Sequence, residues 1–169
     1  MNGSIYEREL ANILSGDPNV VMKYSRRASI SVESREGIVK SPFFIVRAAG
    51  SLGADLIALR HDVSLIIEVK SSARDTLTFS EASGQRQEQA ERLSRMSETA
   101  GMFLTYAYRI KNVKGDPWRL FCLGKEPAGG LRFLYRLLPK PGITSNGNYK
   151  LVWNEGFPLS SFFTCVNQK

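Results

Sequence analysis

The feature that most constrains the fold is a pair of short apolar segments, residues 55–59 and 64–70, joined by a four-residue turn. A turn of this length closes an antiparallel hairpin, with Leu59 opposite Ser64. Helical and strand patterns flank the hairpin: helices at residues 4–14 and 81–100, and strands at residues 43–48, 102–108 and 118–123. We therefore predict a mixed α and β protein, and the length of 169 residues suits a single domain spanning residues 1–169.

Three polar side chains are predicted to share one face of this hairpin. If the register runs without a bulge, Asp55 lies opposite Glu68, and Lys70 shares the face of Glu68 because alternate strand residues point the same way. Two opposed carboxylates repel each other unless a proton or a cation lies between them. A hard divalent cation such as Mg²⁺ accepts one or two carboxylates and keeps several waters. The alternative is a salt-bridged pair on a solvated sheet edge, since this spacing is common by chance.

Two further residues favour a functional site over a surface ion pair. Glu7 falls inside the apolar arc of the first helix, where a carboxylate needs a partner or a metal, although it could also form a capping box with Ser4. Arg47 precedes the small residues Gly50 and Ser51, and it could hold a phosphate beside a metal or be an ordinary surface arginine. With the hairpin, these residues favour a divalent-metal site that acts on a phosphate.

The chain is basic, with a formal net charge of +7 and a pI of about 9.6. Lys and Arg neutralise phosphates and release counterions, so this charge is typical of a phosphate-binding protein, although composition alone leaves a merely basic surface equally open. The charge concentrates in a serine-rich stretch that contains Lys23, Arg26, Arg27, Arg35 and Lys40 against Glu33 and Glu36. We predict a mobile basic loop there, and we weigh DNA contacts by Arg26, Arg27 and Arg35 against a solvated linker.

Four ordered motifs carry a resemblance to a known family. They are Glu7-Arg8-Glu9-Leu10, Val46-Arg47-Ala48-Ala49-Gly50-Ser51, Asp55-Leu56-Ile57-Ala58 and Ile67-Glu68-Val69-Lys70. The set resembles the archaeal-type Holliday junction resolvases of the PD-(D/E)XK nuclease superfamily. The resemblance continues through Gln89 and Leu93 to Gly101 and residues 118–121, and it covers roughly residues 3–16 and 43–123.

The resemblance implies an α/β fold with a restriction-endonuclease-like core, in which helices flank a mixed central β-sheet. It also implies a homodimer that resolves branched, four-way DNA junctions by paired symmetric nicks, with Mg²⁺ as cofactor and Mn²⁺ as a substitute. Carried over by position, the implied metal ligands are Glu7, Asp55 and Glu68, the implied catalytic residues are these three with Lys70 and Ser51, and the implied phosphate contacts are Arg8 and Arg47.

The sequence departs from the family pattern in several places. Ala54 stands where the superfamily usually has a proline before the motif aspartate, and residues 23–42 look like an insertion before the first core strand. The long helix has Met96 and Ala100 at positions that are often aromatic in the family. The extension of about residues 125–169 matches no part of the family pattern, and we expect it to add a hairpin or an edge strand.

Cleavage at two opposed strands needs two active sites, which a two-fold dimer would provide. Candidate interface segments are strand 102–108 and the apolar stripe of the long helix, which is formed by Ala90, Leu93, Met96 and Ala100. Both segments could equally belong to the core of the monomer, and for most of the helix stripe we favour the core.

Two other functions stay open: a nuclease of the same superfamily that cuts duplex or flapped DNA, and a non-catalytic DNA-binding module. The complete carboxylate and lysine set argues against the second. No apolar run reaches membrane-spanning length, and the polar N-terminus lacks the pattern of a signal peptide. We therefore expect a cytoplasmic, Mg²⁺-dependent endodeoxyribonuclease without a membrane or small-molecule partner.

Overall fold

The structure is a computed structural model that describes residues 3–48, 53–80 and 84–168. Its strands are β1 (Phe44–Arg47), β2 (Leu56–Leu59), β3 (Ser64–Ser72), β4 (Thr76–Thr78), β5 (Leu104–Ile110), β6 (Trp118–Leu123), β7 (Gly142–Ile143), β8 (Tyr149–Val152) and β9 (Phe157–Pro158). Within the described residues, six strands form the central sheet in the order β1-β2-β3-β5-β6-β9, and three form a smaller sheet in the order β4-β8-β7. Strands β3 and β5 are parallel, whereas the other paired strands are antiparallel, so the predicted mixed sheet is confirmed.

Helices cover both faces of the central sheet. They are α1 (Gly3–Leu14), α2 (Pro18–Ala28), α3 (Val32–Lys40), α4 (Gln85–Thr99), α5 (Arg132–Leu137) and α6 (Leu159–Asn167). Buried side chains of α1, α2, α3, α5 and α6 pack with one sheet face in a single apolar cluster. On the opposite face, α4 and the smaller sheet pack in another cluster. The predicted α/β layers with flanking helices are therefore present, and burial of both sheet faces stabilises them.

The hairpin has the predicted register over its ladder but not at its open end. Leu59 lies opposite Ser64, and the pairing continues to Leu56 opposite Ile67. The backbone N–H of Asp55 then donates to the carbonyl of Ile67 at 3.1 Å, so Asp55 does not continue the ladder as the partner of Glu68. A register without a bulge, which was the condition for Asp55 to lie opposite Glu68, is therefore not present at this last step.

The prediction of a mobile basic loop at residues 23–40 is wrong, because α2 and α3 occupy this stretch. Asp17 caps α2 by accepting from the N–H groups of Asn19 and Val20. The Asp-Pro pair after the first helix therefore begins α2, whereas Gly16, with φ of +73°, ends α1. Ser31 caps α3 by accepting from the N–H of Ser34, so a serine that suggested a loop begins a helix.

The long helix α4 packs against the sheet with a set of residues that differs in part from the predicted apolar stripe. Ala90 and Leu93 are buried as predicted, but Met96 is 54% exposed and Ala100 is exposed. Ser94 and Ser97 are buried in their place, and the Ser97 hydroxyl donates to the carbonyl of Leu93 at 2.8 Å. Small serines let the helix approach β5, and the hydrogen bond satisfies the buried hydroxyl. Of the predicted helix, residues 81–83 lie outside the described ranges.

The C-terminal extension adds both predicted elements. Strands β7 and β8 pair as a hairpin, and β9 lies beside β6 at the edge of the central sheet. Arg60, in the turn between β2 and β3, holds α6 by donating to the carbonyl of Val166 and to Oδ1 of Asn167, at 3.0 and 2.8 Å. Among the described residues, none of the helices is long and apolar enough to cross a membrane.

Candidate active site

The structure brings Asp55, Glu68 and Lys70 together where β2 begins and β3 continues past it. Glu68 is only 2% exposed, and its Oε1 atom lies 2.7 Å from Nζ of Lys70. Oδ2 of Asp55 accepts a hydrogen bond from the backbone N–H of Val69 at 2.7 Å. Asp55 thus reaches β3 with its side chain although its backbone has left the ladder. These contacts place both carboxylates and the ammonium group in one small region.

Both carboxylates are held where negative charge is unfavourable. Burial raises the pKa of Glu68, and the charge of Asp55 raises it further, while Lys70 lowers it. Burial also raises the pKa of Asp55, against the lowering effects of the Val69 N–H and Lys70. Glu7 adds to the upward shift of the Asp55 pKa, so the α1 carboxylate contributes to the same electrostatic site. Two desolvated carboxylates of raised pKa favour the arrival of a proton or a cation.

The second carboxylate oxygen of Glu68 lacks a hydrogen-bond donor from the described part of the protein, and a bound cation could take that place. Oε2 is buried and has no hydrogen-bond partner among the described residues. A buried charged oxygen without a partner is costly, and a divalent cation would supply the missing interaction. No group of three metal-binding side chains occurs within residues 3–48, 53–80 and 84–168. The donor set is therefore a carboxylate pair, which suits Mg²⁺ because that ion retains waters and binds substrate phosphates.

The other residues suggested beside the metal differ in their positions. Glu7 lies 3.5 Å from Arg47, and this partly exposed ion pair joins α1 to the end of β1. Arg8 is exposed on α1. Ser51 lies outside the described residues, as does the side chain of Ser4 in the suggested capping box. Glu7 and Arg47 therefore lie near the carboxylate pair, because the charge of Glu7 acts on Asp55 and Arg47 contacts Glu7.

The three arginines of the basic stretch have different surroundings. Arg26 is exposed on α2. Arg27 is half-buried and donates to the carbonyls of Val113 and Gly115. Arg35 is half-buried on α3, and its Nη1 lies 3.4 Å from Sδ of Met22. Arg27 and Arg35 thus hold the helices in place, which their sequence positions alone did not indicate.

Two residues near the site were given no role from sequence. Tyr106 on β5 lies beside Glu68 in the parallel pair, and burial, with the nearby Glu68 charge, raises its pKa. Gln89 on α4 lies with Nε2 3.5 Å from the carbonyl of Gly53, two residues before Asp55. No local pattern could have found Tyr106, because the pairing of β3 with β5 joins distant segments.

Comparisons with known proteins agree with this architecture. A family model described as archaeal Holliday junction resolvase (hjc) matches residues 35–126, which is more than half of the chain. The solved structure of Archaeoglobus fulgidus Hjc, described as a Holliday junction resolvase from an archaeal hyperthermophile, is 19% identical. The two structures align over 97% of each chain with a TM-score of 0.50, which supports the shared fold.

No curated protein sequence gives a significant match to this chain. The matched residues 35–126 contain β1 to β6 and therefore include Asp55, Glu68 and Lys70. The chain belongs to the archaeal Holliday junction resolvase family.

Proposed function

We propose that this resolvase cleaves four-way DNA junctions with a divalent metal ion, Mg²⁺, held by Asp55 and Glu68. The observation that carries this proposal is the buried Glu68 carboxylate, whose Oε2 has no partner among the described residues and which lies beside a second desolvated carboxylate. A purely structural ion pair would need only one carboxylate for Lys70. A cation bound there would compensate the additional buried negative charge.

The residues of the site divide the work of phosphodiester hydrolysis. When bound, the metal supplies Lewis-acid polarisation of the phosphate and lowers the pKa of a bound water. The Val69 N–H orients the Asp55 carboxylate, and Glu68 orients the ammonium group of Lys70. Lys70 would hold the attacking water or offset negative charge that develops on the phosphate. Mn²⁺ would substitute for Mg²⁺ because both prefer oxygen ligands.

Residues around the carboxylate pair would complete the site. Glu7 contributes a third negative charge from α1, and we assign it to the residues that would bind the metal. Arg47 and Arg8 would bind the phosphates that flank the cleaved bond, since an arginine can form paired hydrogen bonds with a phosphate. Ser51 would assist at the same phosphate, a role that rests on the family resemblance alone. Phosphate contacts position a protein without reading bases, so the shape of the junction would determine recognition.

Two copies of the chain would provide the two nicks. Phe44, Val46 and Leu59 are 70%, 43% and 41% exposed, and Phe44 on the edge strand β1 lies directly opposite Leu59 on β2. Strand alternation places them on the sheet face that carries Glu68 and Lys70. Strand β5, suggested above as an interface, is instead buried between β3 and β6. We therefore assign the homodimer interface to this exposed patch on the active-site face.

The proposal is tested with a four-way junction and a linear duplex of matched sequence, each with and without Mg²⁺. The unmodified protein should cut only the junction, and only with the metal. Asp55→Asn and Glu68→Gln should each lower the cleavage rate by more than about 100-fold, because loss of an outer-shell group alone costs 10–100-fold. Junction binding should persist in both variants. Glu36→Gln, which removes an exposed carboxylate from α3, is the matched control and should cut normally.

Three results would overturn the proposal. A fully active Glu68→Gln protein would contradict the metal site. Equal cutting of the linear duplex would instead favour a restriction or repair nuclease of the same superfamily. Binding without any cleavage under all metal conditions would favour a non-catalytic DNA-binding module.

A further inference from the structure

We propose that α2 and the turn between β5 and β6 form one rigid basic surface that binds a duplex arm of the DNA junction away from the branch point. This inference rests on the proposed function, because it assumes that the substrate is a branched DNA. The arm-binding surface consists of Lys23 and Arg26 on α2, Lys114 in the turn, and Lys111 at the end of β5.

Helix α2 is fixed to the turn by hydrogen bonds. Arg27 donates from Nη2 to the carbonyl of Val113 at 2.6 Å and from Nε to the carbonyl of Gly115 at 3.2 Å. The buried Tyr24 hydroxyl donates to Oδ2 of Asp116 at 3.1 Å. Because these bonds join α2 to the turn, the cations that the two elements carry keep a fixed spacing.

The cations of this surface are not neutralised by neighbouring acids. Lys23, Arg26 and Lys114 are exposed, and none of them forms an ion pair within the described residues. Nearby Glu9 is already paired with Arg109, at 2.8 Å between Oε2 and Nε.

Asp116 is held toward the protein interior, since it accepts from Tyr24, from the Trp118 N–H and from the Ser160 N–H, and its charge acts on Arg119. The positive charges of the arm-binding surface are therefore available to phosphates.

The surface begins beside the active site. Strands β3 and β5 are parallel, so their C-terminal ends lie at the same edge of the sheet, with Lys70 opposite Tyr108. Lys111 follows the end of β5, and its Nζ lies 5.7 Å from the ring of Tyr6, the residue before Glu7. A cleft of about 250 Å³ lined by Glu9, Lys23 and Arg27, among others, continues from α1 to α2. The backbone N–H of Lys111 also donates to the carbonyl of Ser72, two residues after Lys70 on β3, at 2.9 Å, so the arm-binding surface starts at the strand ends next to the active site and continues to α2.

A rigid row of cations suits a duplex better than other ligands. Duplex DNA carries one negative charge per about 1.7 Å of its axis, so it meets several cations at once without base contacts. A folded surface also binds without the entropy loss of ordering a flexible arm. Lys23 and Arg26 share one helix face because they lie three residues apart, which allows both to contact one backbone.

The test compares junction binding over a series of salt concentrations. The variant Lys23→Gln/Arg26→Gln/Lys114→Gln removes three charges from the arm-binding surface. If each contacts a phosphate, the slope of log K against log salt should flatten by about 2.7. The control Lys125→Gln/Arg132→Gln/Arg136→Gln removes the same charge from a region where these cations pair with Glu98 and Glu126. The control should keep the slope of the unmodified protein.

Junctions with progressively shortened arms locate the contact. The unmodified protein should lose affinity as the arms shorten and should approach the affinity of the triple variant, whose own binding should change little. Equal sensitivity of the two proteins to arm length would overturn the proposal, as would an unchanged salt slope in the triple variant. An unchanged slope would mean that Arg26 does not bind DNA and only stabilises the C-terminal end of α2, where a positive charge is favourable.

Two further measurements separate the possible failures. The triple variant should cut at the normal rate at saturating protein, because the metal site is intact, and Lys114→Gln alone should flatten the slope by about 0.9 if the triple variant folds poorly. If the unmodified protein neither binds nor cuts a junction, the proposed function fails. If it does both and the triple variant has an unchanged slope, only the arm-binding surface is contradicted.

Discussion

The carboxylate of Asp55 accepts a hydrogen bond from the backbone N–H of Val69 at 2.7 Å, immediately beside Glu68 in the neighbouring strand. This bond fixes one oxygen of Asp55 and holds its carboxylate beside that of Glu68. In the same way, Nζ of Lys70 donates a hydrogen bond to Oε1 of Glu68. Each carboxylate is thus oriented by a protein donor, which is the preorganisation that the proposed metal site would require.

The raised pKa values of Asp55 and Glu68 predict how stability depends on pH without metal. Burial favours the protonated form of both groups in the folded state. The unfolded chain releases these protons at lower pH, so folding stability should fall as pH rises from about 4 through the raised folded-state pKa values, and then level off. Denaturant unfolding at a series of pH values should show this fall, and it should be absent in Asp55→Asn/Glu68→Gln. A rise with pH specific to the unmodified protein would contradict the raised pKa values.

Glu68→Gln should lower the cleavage activity of the protein and raise its stability. Above the raised pKa, this change removes a buried negative charge and keeps an oxygen that can accept from Lys70. We expect the free energy of unfolding without metal to rise by on the order of 1 kcal/mol, a common size for a single substitution, because burial favours an uncharged side chain at this position. This gain corresponds to a melting temperature about 2–4 °C higher.

Added Mg²⁺ should stabilise the unmodified protein but not Glu68→Gln, since only a protein that binds the ion gains from it. Thermal melts with and without Mg²⁺ measure both effects. A variant that melts lower than the unmodified protein without metal would show that the Glu68 charge is compensated in the folded state.

Phe44→Ser/Val46→Ser should produce a monomer. Both residues belong to the exposed patch on the active-site face, and serine removes the apolar surface that a second copy would bury. Light scattering should give twice the chain mass of 18.9 kDa for the unmodified protein and the mass of one chain for the variant. Ile143→Ser is the control, because Ile143 is 64% exposed on β7 in the other sheet, and it should remain a dimer.

Dimerisation should also couple the two nicks. On a cruciform plasmid, the unmodified dimer should give linear product, whereas the double variant should give nicked circles. A monomer that still linearises the plasmid would contradict the two-copy arrangement.

Gly53→Ala should lower both stability and cleavage. Gly53 has φ of +105°, and an added Cβ would lie 2.6 Å from Cδ2 of Leu93 on α4. Relief of this contact must shift either the buried Leu93 side chain or the backbone two residues before Asp55, so we expect a loss of about 1–3 kcal/mol together with slower cleavage. Gly84→Ala is the matched control: φ is +76°, but the added Cβ would have no atom within 4 Å. This control should cost about 1–2 kcal/mol and cut normally once folded.

The sequence by itself determined the local parts of this protein. Apolar alternation and a four-residue turn are enough to specify the hairpin, because hydrogen bonding within it involves near neighbours. The same pattern indicated that Glu68 and Lys70 share a face, and the motif order identified the family. Where local signals conflicted, as between serine content and helix capping in residues 23–40, the prediction failed, since packing of Tyr24 and Ile38 into the core adds to the caps in stabilising those helices.

Tertiary structure decided everything that joins distant segments. The parallel pairing of β3 with β5 places Tyr106 beside Glu68, and the Val69 N–H draws the Asp55 side chain onto β3 although the ladder has ended. Arg27 was indistinguishable in sequence from its neighbour Arg26, but its hydrogen bonds to the β5–β6 turn leave Arg26 alone exposed. Such roles depend on which backbone groups remain unsatisfied after folding, and a one-dimensional pattern contains no measure of that.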